Sequence, residues 1–174
     1  ITAARFIPSK QLELIIDLMT NKFIFNHASL TIFGDDDHIS GIRRELEERA
    51  MKKGVSDKVI FAGKTQDLNK KMEASDAFIF ASNSEGYPNV IMEALSEGLQ
   101  VFTLFDFNEI ALRNMPNYEV CDTMERMEQK ILAFINNITE HRKARSHHHQ
   151  RTLSILKDID TKAKESYFEQ ILAD

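Results

Sequence analysis

Six short apolar runs alternate with helix-patterned segments along this chain, and that alternation constrains its fold more than any other feature. Ile1–Ala4 reads as the end of a strand, and its abrupt start leads us to expect further residues before it. Helix follows over Lys10–Met19, where Leu12, Ile15, Ile16 and Met19 recur at helical spacing. The pattern continues as strand Leu30–Phe33, helix Ser40–Lys53, strand Val59–Ala62 and helix Asp67–Ala74. Strand Ala77–Ala81, helix Pro88–Glu97 and strand Val101–Leu104 come next. Tyr118–Cys121 reads as a last short strand and Met124–Ile138 as a helix. Strands that alternate with helices pair in parallel through right-handed crossovers. The expected product is an α/β, doubly wound, Rossmann-like parallel sheet with its ligand at the carboxyl ends of the strands.

The remainder, 140–174, has no strand signal and is highly charged, with Leu153, Leu156, Ile159, Phe168, Ile171 and Leu172 as scattered apolar anchors. It reads as one or two surface helices. The expected organisation is a core domain over 1–139 and a helical extension over 140–174, packed on the same domain.

Composition narrows the function classes. The net charge of −5 disfavours non-specific nucleic-acid binding, which needs a basic face. An anionic ligand would therefore rely on a few placed cations and backbone dipoles. No apolar stretch approaches the ~20 residues that cross a bilayer, and the first residues lack a signal-peptide pattern. A single cysteine, Cys121, excludes an internal disulfide framework and fits a reducing, cytoplasmic compartment.

The chemistry concentrates between Glu85 and Glu93, in Glu85-Gly86-Tyr87-Pro88-Asn89-Val90-Ile91-Met92-Glu93. A strand, a Gly-containing loop and a Pro-initiated helix place backbone N–H groups and a helix N-terminus at a strand's carboxyl end. That arrangement favours phosphate. Glu85 faces the same cleft, and Glu93, in the second helical turn, can accept hydrogen bonds from sugar hydroxyls. Carboxylates for hydroxyls and helix-end donors for phosphate together suit a nucleotide-sugar.

This stretch resembles the Glu-x7-Glu motif of the retaining GT-B glycosyltransferases of the glycogen and sucrose synthase type, the group 1 glycosyl transferases. Other segments resemble the same family's donor-binding domain in the same order. They are Ala4-Arg5-Phe6-Ile7-Pro8-Ser9-Lys10, Leu30-Thr31-Ile32-Phe33-Gly34, Lys58-Val59-Ile60-Phe61-Ala62-Gly63 and Gly98-Leu99-Gln100-Val101. The resemblance covers roughly residues 1–110 and implies the C-terminal half of a GT-B fold. It implies transfer of a sugar from a nucleoside-diphosphate sugar to an acceptor hydroxyl with retention.

By this resemblance Arg5 and Lys10 grip the donor diphosphate, a planar fork beside a point charge. Together with the helix N-terminus at Pro88 and Asn89 they leave no need for a metal, and no separate cofactor is implied. Glu85 contacts the transferred sugar and Glu93 the ribose. Gly86 and Tyr87 present backbone N–H groups, Gly63 and Lys64 (with Thr65) read the base, and Ser82 precedes the sugar loop. Glu109 retains a role at sugar hydroxyls. The implied partners are the nucleotide-sugar and a glycan, lipid or protein acceptor held by an N-terminal domain outside these 174 residues. Peripheral membrane association belongs, if anywhere, to the full-length enzyme. This piece alone is expected to bind donor weakly and transfer poorly.

Departures from the family pattern are visible. Gln11 stands where Gly is usual, so the turn after Lys10 is expected to differ. Ala81 replaces a frequent Pro. Asp106-Phe107-Asn108-Glu109 lacks the family's Gly pair, and Phe107 does not take a positive φ cheaply. Asp35-Asp36-Asp37 replaces a Gly-x-Gly-Pro turn and reads as a solvated turn rather than a metal site. His147-His148-His149 also reads as a solvated face, since consecutive helical residues diverge. Two other functions fit the same pattern: a nucleotide-sugar 2-epimerase on the same double-Rossmann plan, and a non-catalytic nucleotide-sugar-sensing or partner-stabilising domain.

Overall fold

The computed structural model of the chain describes residues 1–35, 41–83, 89–106 and 110–173, of which 110–111 and 158–173 by backbone alone. The strands are β1 (Thr2–Ala3), β2 (Leu30–Phe33), β3 (Val59–Gly63), β4 (Ala77–Phe80), β5 (Gln100–Thr103) and β6 (Tyr118–Val120). The helices are α1 (Leu12–Leu18), α2 (Lys22–His27), α3 (Ile42–Lys52) and α4 (Leu68–Glu73). They continue with α5 (Asn89–Ser96), α6 (Ile110–Arg113), α7 (Met124–Asn136) and α8 (Ile138–Ala173).

All pairings are parallel. β1 adds to β2 and β2 to β3, while β4 adds to β5 and β5 to β6. Two backbone hydrogen bonds join the two sets of three strands. The Ile1 nitrogen donates to the Ala77 carbonyl at 2.7 Å, and Ile79 N–H donates to the Ile1 carbonyl at 2.9 Å. These two bonds flank Phe78, as a parallel ladder requires. The strand order is therefore β3-β2-β1-β4-β5-β6, a doubly wound sheet whose direction of growth reverses between β1 and β4.

Side-chain alternation divides the interior into two layers. On one face Leu30, Ile32, Val59 and Phe102 pack with Ile15 and Ile16 of α1, Ile24 of α2, Leu46 of α3, and Met127 and Ile131 of α7. On the other, Phe78, Phe80 and Val101 pack with Met72 of α4, Ile91 and Leu95 of α5, Leu112 of α6, and Ile155 and Leu156 of α8. Each fully buried apolar side chain stabilises the fold by about 1.5–3 kcal/mol, so neither layer is dispensable.

The strands fall where the apolar runs predict them, within a residue or so at each end. Two helices go beyond the sequence reading, α2 and the one-turn α6. In α2, Asn21 caps the first turn, its Oδ1 accepting from Phe23 N–H at 2.9 Å and Ile24 N–H at 3.3 Å. Its Nδ2 donates to Glu128 of α7 at 2.7 Å, fixing one helix to the other. At the outer edge of the sheet, Arg43 of α3 donates through Nη2 to the Phe61 carbonyl of β3 at 3.2 Å.

The C-terminal stretch is one helix rather than two, beginning past a break at Asn137. It lies against α5, where Gly98 (φ +75°) permits backbone contact. A Cβ there would stand 2.7 Å from the Arg145 carbonyl and 3.3 Å from His149 Cβ. Arg142 holds Asp76 at the start of β4 through two bonds of 2.7 and 2.9 Å. His148, half-buried in this contact, has a pKa held below its ordinary 6.5, by burial first and then by His141, His147 and Arg151.

The folded chain thus favours neutral His148 and binds fewer protons there than the unfolded chain. That stabilisation is complete above pH 6.5 and is lost as pH falls through the lower folded value. Asp76, held below the usual carboxylate range mainly by its hydrogen bonds to Arg142, keeps its contribution into far more acid conditions. The urea midpoint is expected to fall between about pH 7 and pH 5.5, and His148→Gln should flatten that slope. A wild-type midpoint independent of pH over this range would exclude the effect.

Candidate functional site

The point where strand order reverses collects the loops that follow β1, β2, β3 and β4. Backbone hydrogen bonds continue beyond the strands and align the first three. Ala4 N–H donates to the Phe33 carbonyl, Phe6 N–H to that of Asp35 and Gly34 N–H to that of Gly63, each at 3.0 Å. Gly34 makes this approach feasible, since a Cβ on it would lie 1.8 Å from the Ala4 carbonyl oxygen. Phe6 is fully buried and meets Phe61 edge-on, with ring centroids 6.3 Å apart. Its neighbour Arg5 is exposed.

Pro8–Lys10 form a single 3-10 turn before α1. Its Ser9 carbonyl accepts two hydrogen bonds from the segment after β4, from Asn83 N–H and from the Ser82 hydroxyl, both at 3.0 Å. Lys10, half-buried, places its ammonium 6.0 Å from the centroid of Phe80, the last residue of β4. Arg5, Lys10, Ser82 and Asn83 thereby belong to one loop assembly at the carboxyl ends of the two central strands. Ser82 is 2% exposed, and its hydroxyl joins the two loops.

In the turn after Lys10, Gln11 stands in a conformation that glycine adopts most readily. Gln11 takes φ +49°, ψ +40°, the left-handed conformation a glycine would take, and is the one non-glycine with positive φ among the described residues. α1 then starts at Leu12, as a glycine there would allow.

Gly63 (φ +74°) ends β3, followed by an exposed Lys64. On α5, Ile91, Ala94 and Leu95 are fully buried, which leaves Asn89 and Glu93 on the exposed side. After β5, the buried Thr103 hydroxyl accepts from Phe105 N–H at 2.9 Å and closes the turn. Asp106 is paired with Arg113 of α6. Glu85, Gly86, Tyr87, Pro88 and Glu109 lie outside the described residues, as do Asp36 and Asp37.

Other chemically suggestive groups lie elsewhere. Cys121 is buried, and burial pushes its thiol up to about 11, so it is no nucleophile near neutral pH. The three consecutive histidines diverge, but they are not a uniformly solvated face. His147 is exposed, whereas His149 turns its Nδ1 to the Ser96 carbonyl of α5. Among the described residues no three His, Cys, Asp or Glu side chains are grouped to hold a metal. A groove of about 680 Å³ opens beside Ile1, Leu30 and Ala77, at the amino ends of the strands. It is the wrong end of a doubly wound sheet for its ligand.

Sequence reasoning named Arg5, Lys10, Ser82 and Glu93 but missed Asn83 and Phe80. Both act through backbone or ring geometry that no local motif displays.

A family model for group 1 glycosyl transferases matches residues 1–137. A Vi polysaccharide biosynthesis protein of Salmonella typhi is 29% identical over 101 residues, 57% of this chain and 17% of that relative. The sucrose-phosphate synthase of Thermosynechococcus elongatus has the same fold over 99% of this chain and 45% of its own, with a TM-score of 0.79 and 17% identity. The pneumococcal O-GlcNAc transferase, solved with UDP and GlcNAc, gives a TM-score of 0.70 at 18% identity over 99% of this chain and 35% of its own. The chain thus spans less than half the length of each, with the architecture of the Rossmann-like C-terminal half of a GT-B fold.

The left-handed turn at position 11 makes a direct prediction. Gln11→Val, a β-branched residue in that conformation, is expected to cost about 1–2 kcal/mol in urea unfolding, while Gln11→Gly is expected to be neutral or slightly stabilising. Equal stability of the two variants would contradict the left-handed turn.

Proposed function

The chain belongs to the group 1 glycosyl transferases, and from that membership we propose that it is the donor-binding domain of a retaining, metal-independent enzyme. The observation that carries this reading is the double hydrogen bond to the Ser9 carbonyl, which joins the loop bearing Arg5 and Lys10 to the loop leading into α5. The donor is a nucleoside-diphosphate sugar. In the transfer, the bond from the anomeric carbon to the diphosphate breaks and one to an acceptor hydroxyl oxygen forms on the same face. The hydroxyl proton leaves with the diphosphate.

Arg5 and Lys10 hold the diphosphate and stabilise its charge as the bond breaks, and the backbone N–H groups of Gly86, Tyr87 and Asn89 are assigned to the same group. Glu93 accepts hydrogen bonds from the ribose hydroxyls. Glu85 and Glu109 take those of the transferred sugar, and the Glu85 carboxylate also stabilises the positive charge that develops on the ring. Gly63 and Lys64 border the base. Ser82 acts by holding the two loops together. Residues 1–139 form the donor domain and 140–174 the extension that braces it, and the whole enzyme works in the cytoplasm with an acceptor domain N-terminal to this one. UDP in the pneumococcal relative makes a uridine donor the first to test.

Titration with UDP, GDP, ADP and TDP, with and without magnesium, tests the reading by NMR shift perturbation. One nucleotide is expected to bind without metal, and Glu93→Ala to weaken it by about 1.5–3 kcal/mol, roughly 10- to 150-fold, for a lost charge-assisted hydrogen bond. Glu85→Ala is expected to abolish sugar transfer by the full-length protein while nucleotide binding persists. Magnesium-dependent binding that survives Glu93→Ala, or transfer that survives Glu85→Ala, would overturn the proposal.

A further inference from the structure

α5 has one end at the candidate site and the other against α8. Its buried face, Ile91, Ala94 and Leu95, packs on the sheet, but apolar contact is non-directional and does not fix a helix along its axis. Hydrogen bonds at the far end do. Leu99 N–H donates to the Ala94 carbonyl at 3.1 Å and Gly98 N–H to that of Leu95 at 2.9 Å, the two bonds of a Schellman cap. Two carbonyls remain beyond them. Ser96 takes His149 Nδ1, and Glu97 takes Arg145 Nε at 3.0 Å.

The same guanidinium reaches further. Arg145 Nη1 donates to the Ser75 carbonyl at 2.7 Å and Nη2 to that of Met72 at 3.0 Å, at the end of α4. One side chain thus satisfies carbonyls at the C-terminal ends of two helices, and its positive charge faces the negative pole of both. The planar fork, with donors spread over three nitrogens, suits three carbonyls lying in different directions.

We propose that Arg145 and His149 are positioning residues for the nucleotide site, holding α5 at the axial position that presents Glu93 to the ligand. This inference rests on the donor-site reading above. Neither residue touches the ligand. They act by removing the freedom of a two-turn helix to slide or fray from its far end, and a small displacement of a binding group weakens a site sharply.

The test compares Arg145→Ala, Arg145→Lys and His149→Ala with Arg142→Ala. Arg142 anchors the same face of α8 to Asp76 and makes no bond to α5, so its variant reports loss of α8 anchoring alone. UDP, GDP, ADP and TDP affinities and thermal unfolding are measured on each, with binding recorded well below every midpoint.

Arg145→Ala is expected to weaken the best nucleotide by about tenfold or more, His149→Ala by less, and Arg142→Ala not at all. Arg145→Lys should recover part of the loss, because one ammonium can serve the Glu97 carbonyl. Unchanged affinity in Arg145→Ala, even with a lower melting temperature, would make the residue merely structural and overturn the inference. Affinity lost equally in Arg142→Ala would overturn it too. If the unaltered chain bound none of the four nucleotides, the donor-site reading itself would fall, and this inference with it.

Discussion

The candidate site depends on the hydrogen bonding of a very short strand. β1 contributes two residues, yet it is paired on one side with β2 and tied on the other to β4 through Ile1. The loops of the site take their positions from it: Ala4 donates to the end of β2, Phe6 to the loop after it, and Ser9 accepts from the segment after β4. A slip of one residue would turn buried Thr2 and its neighbours to opposite faces and leave several backbone groups unpaired. At about 1–3 kcal/mol for each unmet buried group, no such slip is tolerable. The register that builds the sheet is thus the register that places Arg5 and Lys10.

A chain of net charge −5 gathers the cations of its candidate site locally. Many of its acids are neutralised in place: Asp17 by Arg49, Asp76 by Arg142 and Asp106 by Arg113. The last of these pairs lies in the loop after β5, at the same edge of the sheet as Lys10. Pairing there reduces the repulsion that an uncompensated carboxylate would exert on an anion. Arg5 and Lys64, both exposed, stand at the ends of β1 and β3.

The strands were legible because each is a short, largely apolar run between turn residues, and the inner ones are buried on both faces. The Arg5 to Lys10 loop was legible only as a motif. What ties it down, the Ser82 hydroxyl and Asn83 N–H on the Ser9 carbonyl and the Phe80 ring beside Lys10, lies some seventy residues away in sequence. Gln11 shows another limit. Its left-handed backbone is imposed by the turn and by the packing of Leu12, so the residue type points away from the conformation adopted. α2 escaped because Asn21 begins a short helix with a single buried residue, Ile24, too little for a periodic signal. Arg145 read as one charge among many in a polar tail, since its acceptors are 48 to 73 positions upstream.

The outer rim of the sheet has a separate significance. β3 leaves Ile60 53% exposed and has no further strand beside it among the described residues, which is how intermolecular cross-strand growth begins. Arg43, ion-paired with Glu47 at 2.9 Å, places its guanidinium on an outward carbonyl of that strand. Another copy approaching to pair there would have to displace the guanidinium from that carbonyl. A charged side chain at an edge strand is one of the ways sheets disfavour edge-to-edge pairing, and Arg43 of α3 stands in that position against β3, away from the loops of the candidate site.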